Sequence, residues 1–196
     1  DPRYNPPHMT TVNPAPPTAP LAPPDQTLVA RTVETRLAPG LILRGMTPLA
    51  GDASNRRYYR VALAGGPPHS LILMQLAEPE AFKQSEEAVS GATHQIAELP
   101  FLNVMSHLAK AGVPVPTLYC YDQAAGLLYL EDFGDVTLAE AVSVADAPGL
   151  EARYKQAIDV LVQMQIKGTT PADPGCLAFH RSFDAPLLLW EFDHFL

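Results

Sequence analysis

The chain has 196 residues, of which 47% are hydrophobic and 17% charged, and its formal net charge is -8. That length suits one ordinary domain, or a small lobe joined to part of another. The acidic balance argues against nucleic-acid binding over the whole surface and leaves room for one local cationic site; no apolar run reaches the roughly 18 residues of a membrane span.

Residues 1–25 hold Pro-Pro three times and little that can pack. Such a composition does not offset the entropy of ordering, so this stretch reads as a solvated, partly polyproline II tail. It carries proline where a signal peptide has its apolar segment. From Leu28 the pattern turns helical, with Leu28, Val29, Thr32, Val33 and Leu37 on one face and Pro39-Gly40 as the stop. Leu41 to Leu43 and Met46 to Leu49 read as extended chain. Arg57 to Leu63 alternates and is rich in tyrosine, Ala64 to Pro68 is a turn, and Ser70 to Leu76 is a compact apolar strand.

Residues 80–97 read as a polar helix interrupted near Gly91. Phe101, Leu102, Met105, Leu108 and Ala109 make a second helical face, which Gly112 and Pro114 end. Thr117 to Tyr121 and Gly126 to Leu130 form a hairpin, and Glu131 to Asp135 breaks it. A short helix is expected over 137–142, a longer one over 150–165, and the start of a last one over 183–196. The sum is three strands, helices, two strands and more helices: a five-stranded antiparallel sheet with helices beside it.

Cys120 and Cys176 lie far apart and in no metal or redox spacing. They read as two reduced thiols in a cytoplasmic protein, with a disulfide as the other option. The histidines show no ligand spacing for a metal. The first methionine is Met9, and the last residues run on in an amphipathic pattern, so the sequence reads as part of a longer reading frame.

One stretch stands out against the acidic background: LAGDASNRRYYRV, residues 49–61. Gly51 and Asn55 tolerate unusual backbone angles, so the chain can turn tightly and present N–H groups. Ser54 adds a hydroxyl, and Arg56 and Arg57 supply forked donors suited to phosphate oxygens. The same residues also suit a plain hairpin turn whose arginines pair with local acids.

GDASNRRYYRV followed by SLILM, AGVPVPTLYCYDQAAGLLYLEDFGD, and YKQAIDVLVQMQ followed by FDAPLLLWEFDHFL together resemble the aminoglycoside phosphotransferase-like kinases. The likeness is greatest to the bacterial sugar-kinase branch that includes the N-acetylmuramate/N-acetylglucosamine anomeric kinases. It spans residues 28–196. It implies an α+β, protein-kinase-like fold: a five-stranded antiparallel N-lobe sheet with helices, then the first helices of a truncated helical C-lobe. On that reading 1–25 is the tail, 26–133 the nucleotide-binding lobe, and 134–196 the start of the helical lobe.

The resemblance further implies ATP and Mg2+, a small-molecule hydroxyl as phosphoryl acceptor (an amino sugar is expected), no nucleic-acid or membrane partner, and a cytoplasmic location. It sets the loop ending at Arg60 over the nucleotide phosphates. That loop departs from Gly-x-Gly-x-x-Gly, so Ser54, Asn55, Arg56, Arg57 and Arg60 must do more through side chains. Met74 stands where many such kinases carry a Lys or Arg, and Arg57 or Arg60 is expected to supply the charge; Glu86 and Glu87 are candidates to orient it, with a solvated acidic helix face as the other reading. Leu130 falls near the gatekeeping position, and the backbone of Glu131 and Phe133 is expected to meet the adenine edge; an ordinary strand-end turn at Gly134 is the other reading. The family's His-x-Asp-x-x-x-x-Asn pattern is not found. His180-Arg181-Ser182 lacks the Asp, so no catalytic residue is expected within these residues. The alternatives are a non-catalytic kinase-like binding or scaffold domain, or a kinase for an aminoglycoside, choline or homoserine.

Overall fold

The computed structural model describes residues 21–50, 56–76 and 98–180, with positions 182, 184, 185, 188, 189 and 192. Helix α1 (Gln26–Thr32) starts at Asp25, whose carboxylate accepts the Thr27 N–H at 2.8 Å, and runs on as a π-helical turn over Val33–Leu37. Such a cap satisfies an N–H that the first turn leaves orphaned. Val29, Thr32 and Val33 are the buried face.

Five antiparallel strands follow: β1 (Ile42–Pro48), β2 (Arg57–Ala64), β3 (Ser70–Gln75), β4 (Leu118–Asp122) and β5 (Leu127–Glu131). Their order in the sheet is β1-β2-β3-β5-β4. The sheet expected from the sequence is therefore the sheet observed. Gly65 in the β2–β3 turn has φ 99°, and a Cβ there would lie 2.0 Å from the Gly40 carbonyl oxygen, so this crossing of two turns admits only glycine.

Period-2 alternation sends the strand residues to two different cores. Tyr59, Val61, Leu71, Leu73, Cys120, Leu127 and Tyr129 pack with Val29 and Val33 of α1. On the other side Met74, Leu76, Leu128 and Leu130 pack with Phe101 and Leu102. Those two belong to α2 (Pro100–Lys110), which begins with proline in its first turn and ends before Gly112, at φ 74°. Both cysteines are buried and unbridged.

The remaining elements are α3 (Leu138–Ser143), α4 (Ala147–Lys167) and a 3-10 turn, Leu177–His180. Thr137 and Glu140 form a reciprocal capping box on α3. α4 starts three residues earlier than its apolar pattern, because Asp146 accepts the Gly149 N–H at 2.9 Å and Pro148 sits in the first turn. Its C-terminal end docks on the end of α2: Gln163 Nε2 donates to the Gly112 carbonyl, and His107 Nε2 donates to the Gly168 carbonyl at 2.7 Å.

The chain just ahead of α1 is held against the sheet. Pro24 is buried, and the Ala22 carbonyl accepts from Gln75 Nε2 at 2.9 Å. A buried glutamine at the end of β3 needs an acceptor, and the chain entering α1 supplies it. The helix expected over 80–97, with Glu86 and Glu87, lies outside the described residues, as does most of that expected over 183–196.

Candidate nucleotide site

The face of the sheet that carries α2 also carries Arg60. Arg60 stands opposite Ile72 on β3, which stands opposite Leu130 on β5; Tyr58 stands opposite Met74, itself opposite Leu128. Directly opposed residues share a face. Arg60, Met74 and Leu130 are thus brought to one face of the sheet.

Their surroundings differ sharply. Met74 is fully buried among Leu76, Leu128 and Leu130 beneath α2. Arg60 reaches toward the segment after β5. Its Nε and Nη2 bind the two Asp132 carboxylate oxygens at 2.8 and 3.1 Å, and its Nη1 binds Asp135 at 2.7 Å. The first contact is a bidentate fork, the strongest arrangement open to this pair. Asp132 also accepts the Gly134 N–H at 2.9 Å, which closes a turn around Gly134 at φ 78°.

The charges respond accordingly. Burial pushes the Asp132 carboxyl up, but the Arg60 fork, the Gly134 N–H and the Ser70 hydroxyl outweigh it, and the group ends below its ordinary value. Asp135 is lowered by the same guanidinium. Arg60 itself is raised by Asp135 first and Asp132 second. All three are locked in their charged forms at neutral pH.

The other candidate positions fall around this clamp. Arg56 lies at the entry to β2, its guanidinium 5.8 Å from the centre of the Phe101 ring, a cation–π distance that ties the start of β2 to α2. Arg57 is exposed, and its cross-strand neighbour is Gln75. The Glu131 N–H is spent on the Thr117 carbonyl at 2.9 Å, so it is not available to a ligand. The Glu131 carboxylate returns to Thr117, accepting from its N–H at 3.0 Å and its hydroxyl at 2.8 Å, and the backbone bond first and the hydroxyl second hold it below its ordinary value. Phe133 projects into solvent, 70% exposed. Ser54 and Asn55 lie outside the described residues.

Asp132 and Asp135 were readable only as a polar break after β5. The signal in the sequence was Asp132 two residues before Gly134, a spacing that suits a side-chain-capped turn. Nothing local names Arg60 as their partner, since it lies 72 positions from Asp132. Among the described residues no group of three His, Cys, Asp or Glu side chains could hold a metal. Asp132 and Asp135 already share the Arg60 guanidinium, so this pair does not fit Mg2+.

A five-stranded antiparallel sheet with a helix packed on each face and a charge-clamped bend leading into further helices is consistent with the N-lobe of a kinase-like phosphotransferase. Residues 45–190 match the phosphotransferase enzyme family, and the chain belongs to it. Among curated proteins it is similar to the N-acetylmuramate/N-acetylglucosamine kinase of Pseudomonas putida, 31% identical over 120 residues, covering 61% of this chain and 29% of that protein. It is also similar to the protein of the same name from Pseudomonas aeruginosa, 30% identical over 130 residues, 65% of this chain and 32% of the relative. The chain thus spans about a third of the length of these relatives. Among the described residues no helix is long and apolar enough to cross a membrane.

Proposed function

We propose that this chain is the nucleotide-binding portion of an ATP-dependent kinase that phosphorylates a hydroxyl of an amino sugar in the cytoplasm. The observation that carries this reading is the family match running unbroken from β1 through the bend and into the last helices. The names of the two sugar-kinase relatives direct the choice of acceptor. Residues 26–133 form the lobe that covers ATP, and 134–196 begin the lobe on which the acceptor is held.

The cationic end of β2 supports a phosphate-facing role for Arg56 and Arg57, with the loop at Ser54 and Asn55 leading into them. The backbone of Phe133 is the part of the bend offered to the adenine edge, since the Glu131 N–H is already bonded. Catalysis in such a site is positioning and charge neutralisation.

The test is phosphate transfer by the full-length protein from ATP to N-acetylmuramate, N-acetylglucosamine, an aminoglycoside, choline and homoserine, followed as ADP release. Turnover with an amino sugar, at least tenfold above the others, is expected. A second reading, a binding domain without chemistry, is favoured by the apolar burial of Met74 where a phosphate-pairing cation commonly stands. ATP binding with no turnover on any acceptor selects it.

A further inference from the structure

We infer that Arg60 is a positioning residue: it fixes the bend between the lobes by bridging β2 to Asp132 and Asp135, and so sets the pose in which the nucleotide is held. The inference rests on the kinase reading for its effect on ATP, while the clamp itself rests on geometry alone.

Three observations converge. Each nitrogen of the Arg60 guanidinium already carries a carboxylate contact, from Asp132 at 2.8 and 3.1 Å and from Asp135 at 2.7 Å. Three of its five N–H donors are thus committed, and a phosphate would meet the other two beside two carboxylates. Next, the Asp132 side chain is only 5% exposed, and its oxygens are shared between Arg60 and the Gly134 N–H. A buried carboxylate with that many donors is held in one place, and removing its cation leaves an unpaired charge that must move toward water. Finally, Arg60 stands on β2, so Asp132 is tied back to the sheet two strands away just where the chain leaves β5. The segment that passes between the lobes is therefore registered against the sheet by side chains, and the turn at Gly134 is set by the same carboxylate.

This reverses the role expected of Arg60 from its place beside the phosphate-facing loop. The cation does not reach for the nucleotide; it holds the frame against which the nucleotide lies. The distinction is measurable. A phosphate ligand tolerates lysine and does not care about Asp132. A fork bridging two carboxylates does not tolerate lysine well, because one ammonium cannot repeat the planar geometry.

The experiment compares Arg60→Met, Arg60→Lys, Asp132→Asn and Asp135→Asn in the full-length protein. It reads ATP KM, kcat and hydrogen exchange at the Gly134 amide. Arg60→Met and Asp132→Asn are expected to raise ATP KM about tenfold, with a smaller fall in kcat, and to speed Gly134 exchange about tenfold. Arg60→Lys should fall between these and wild type. Asp135→Asn should stay within about twofold, because that carboxylate is 80% exposed. Should Arg60→Met fail to fold, Arg60→Lys and Asp132→Asn carry the comparison. Wild-type ATP KM in a folded Asp132→Asn protein, or full ATP binding by Arg60→Lys, overturns the inference. If the wild-type protein phosphorylates no acceptor, the kinase reading fails by itself, and Gly134 exchange then decides the clamp: unchanged exchange in Asp132→Asn overturns it.

Discussion

Met74 shows how much a single position in the sheet constrains. Its side chain has no contact with solvent and is enclosed by Leu76, Leu128 and Leu130, with Phe101 and Leu102 of α2 above. A lysine there would have to place an ammonium in an apolar, tightly packed layer with no carboxylate on α2, whose sequence PFLNVMSHLAK contains none. Such a group either loses its charge or opens the packing. Met74→Lys is expected to cost at least about 3 kcal/mol in urea denaturation, whereas Met74→Leu, close to volume-conserving, should cost less than about 1.5 kcal/mol. Equal stability of the lysine variant and wild type would show that the layer between sheet and α2 is looser than its burial implies. The result bears on function, because a phosphate-pairing cation cannot simply be restored at this position.

Among the elements, α2 is the one that joins the two halves of the described chain. Asn103 is nearly buried and uses its amide in full: Nδ2 donates to the Gly175 carbonyl at 2.9 Å and to Glu98 at 3.2 Å, and Oδ1 accepts the Leu177 N–H at 2.7 Å. One turn on, His107 bonds the Gly168 carbonyl and stands 3.4 Å from Asp173, with its ring edge against Phe179. The 168–180 loop is thus fastened to α2 mostly by polar side chains. Asn103→Ala leaves the buried Leu177 N–H unpaired and frees the Gly175 carbonyl, which should cost about 1–3 kcal/mol and speed amide exchange at Leu177 before it affects the β-sheet. Uniform loss of protection across sheet and loop would count against this. The helix itself was legible from its apolar spacing and its Gly112 and Pro114 stop, and the strands from alternation and turn chemistry. The role of Asn103 was not, because a polar residue on a helix reads as solvent-facing unless its distant partners are known. The same holds for the site. Arg56, Arg57, Arg60, Met74 and Leu130 stood out by type and position, but the partner of Arg60 lies beyond the reach of any local pattern.

At the scale of the molecule, the two ends of the described chain differ in how they are held. The sheet buries apolar residues on both faces, while α4 leaves Leu150, Tyr154, Ile158, Leu161 and Ile166 more than two-fifths exposed. Apart from its C-terminal docking on α2, α4 stands off from the sheet, so the ties at the bend and at α2 carry much of the connection between them. The tie at the bend is electrostatic, and this gives it a pH signature. Asp132 and Asp135 both have folded-state values below the ordinary 3.8, and Glu131 is lowered as well. A depressed carboxylate contributes stability that is present above its unfolded value and lost as pH falls through the folded one. Arg60, raised above the ordinary arginine value, contributes throughout the acid and neutral range and does not offset that loss. The bend should therefore hold unchanged from pH 7 down to about 5 and loosen progressively below about 4. Thermal unfolding of wild type and Asp132→Asn over pH 2–7 reads this directly. The gap between the two melting temperatures should be widest near neutrality and shrink below about pH 4, because the variant has no carboxylate at 132 left to titrate. A gap that stays constant to pH 2 would mean that Asp132 acts by shape and hydrogen bonding alone, with its charge contributing nothing to the link between the lobes.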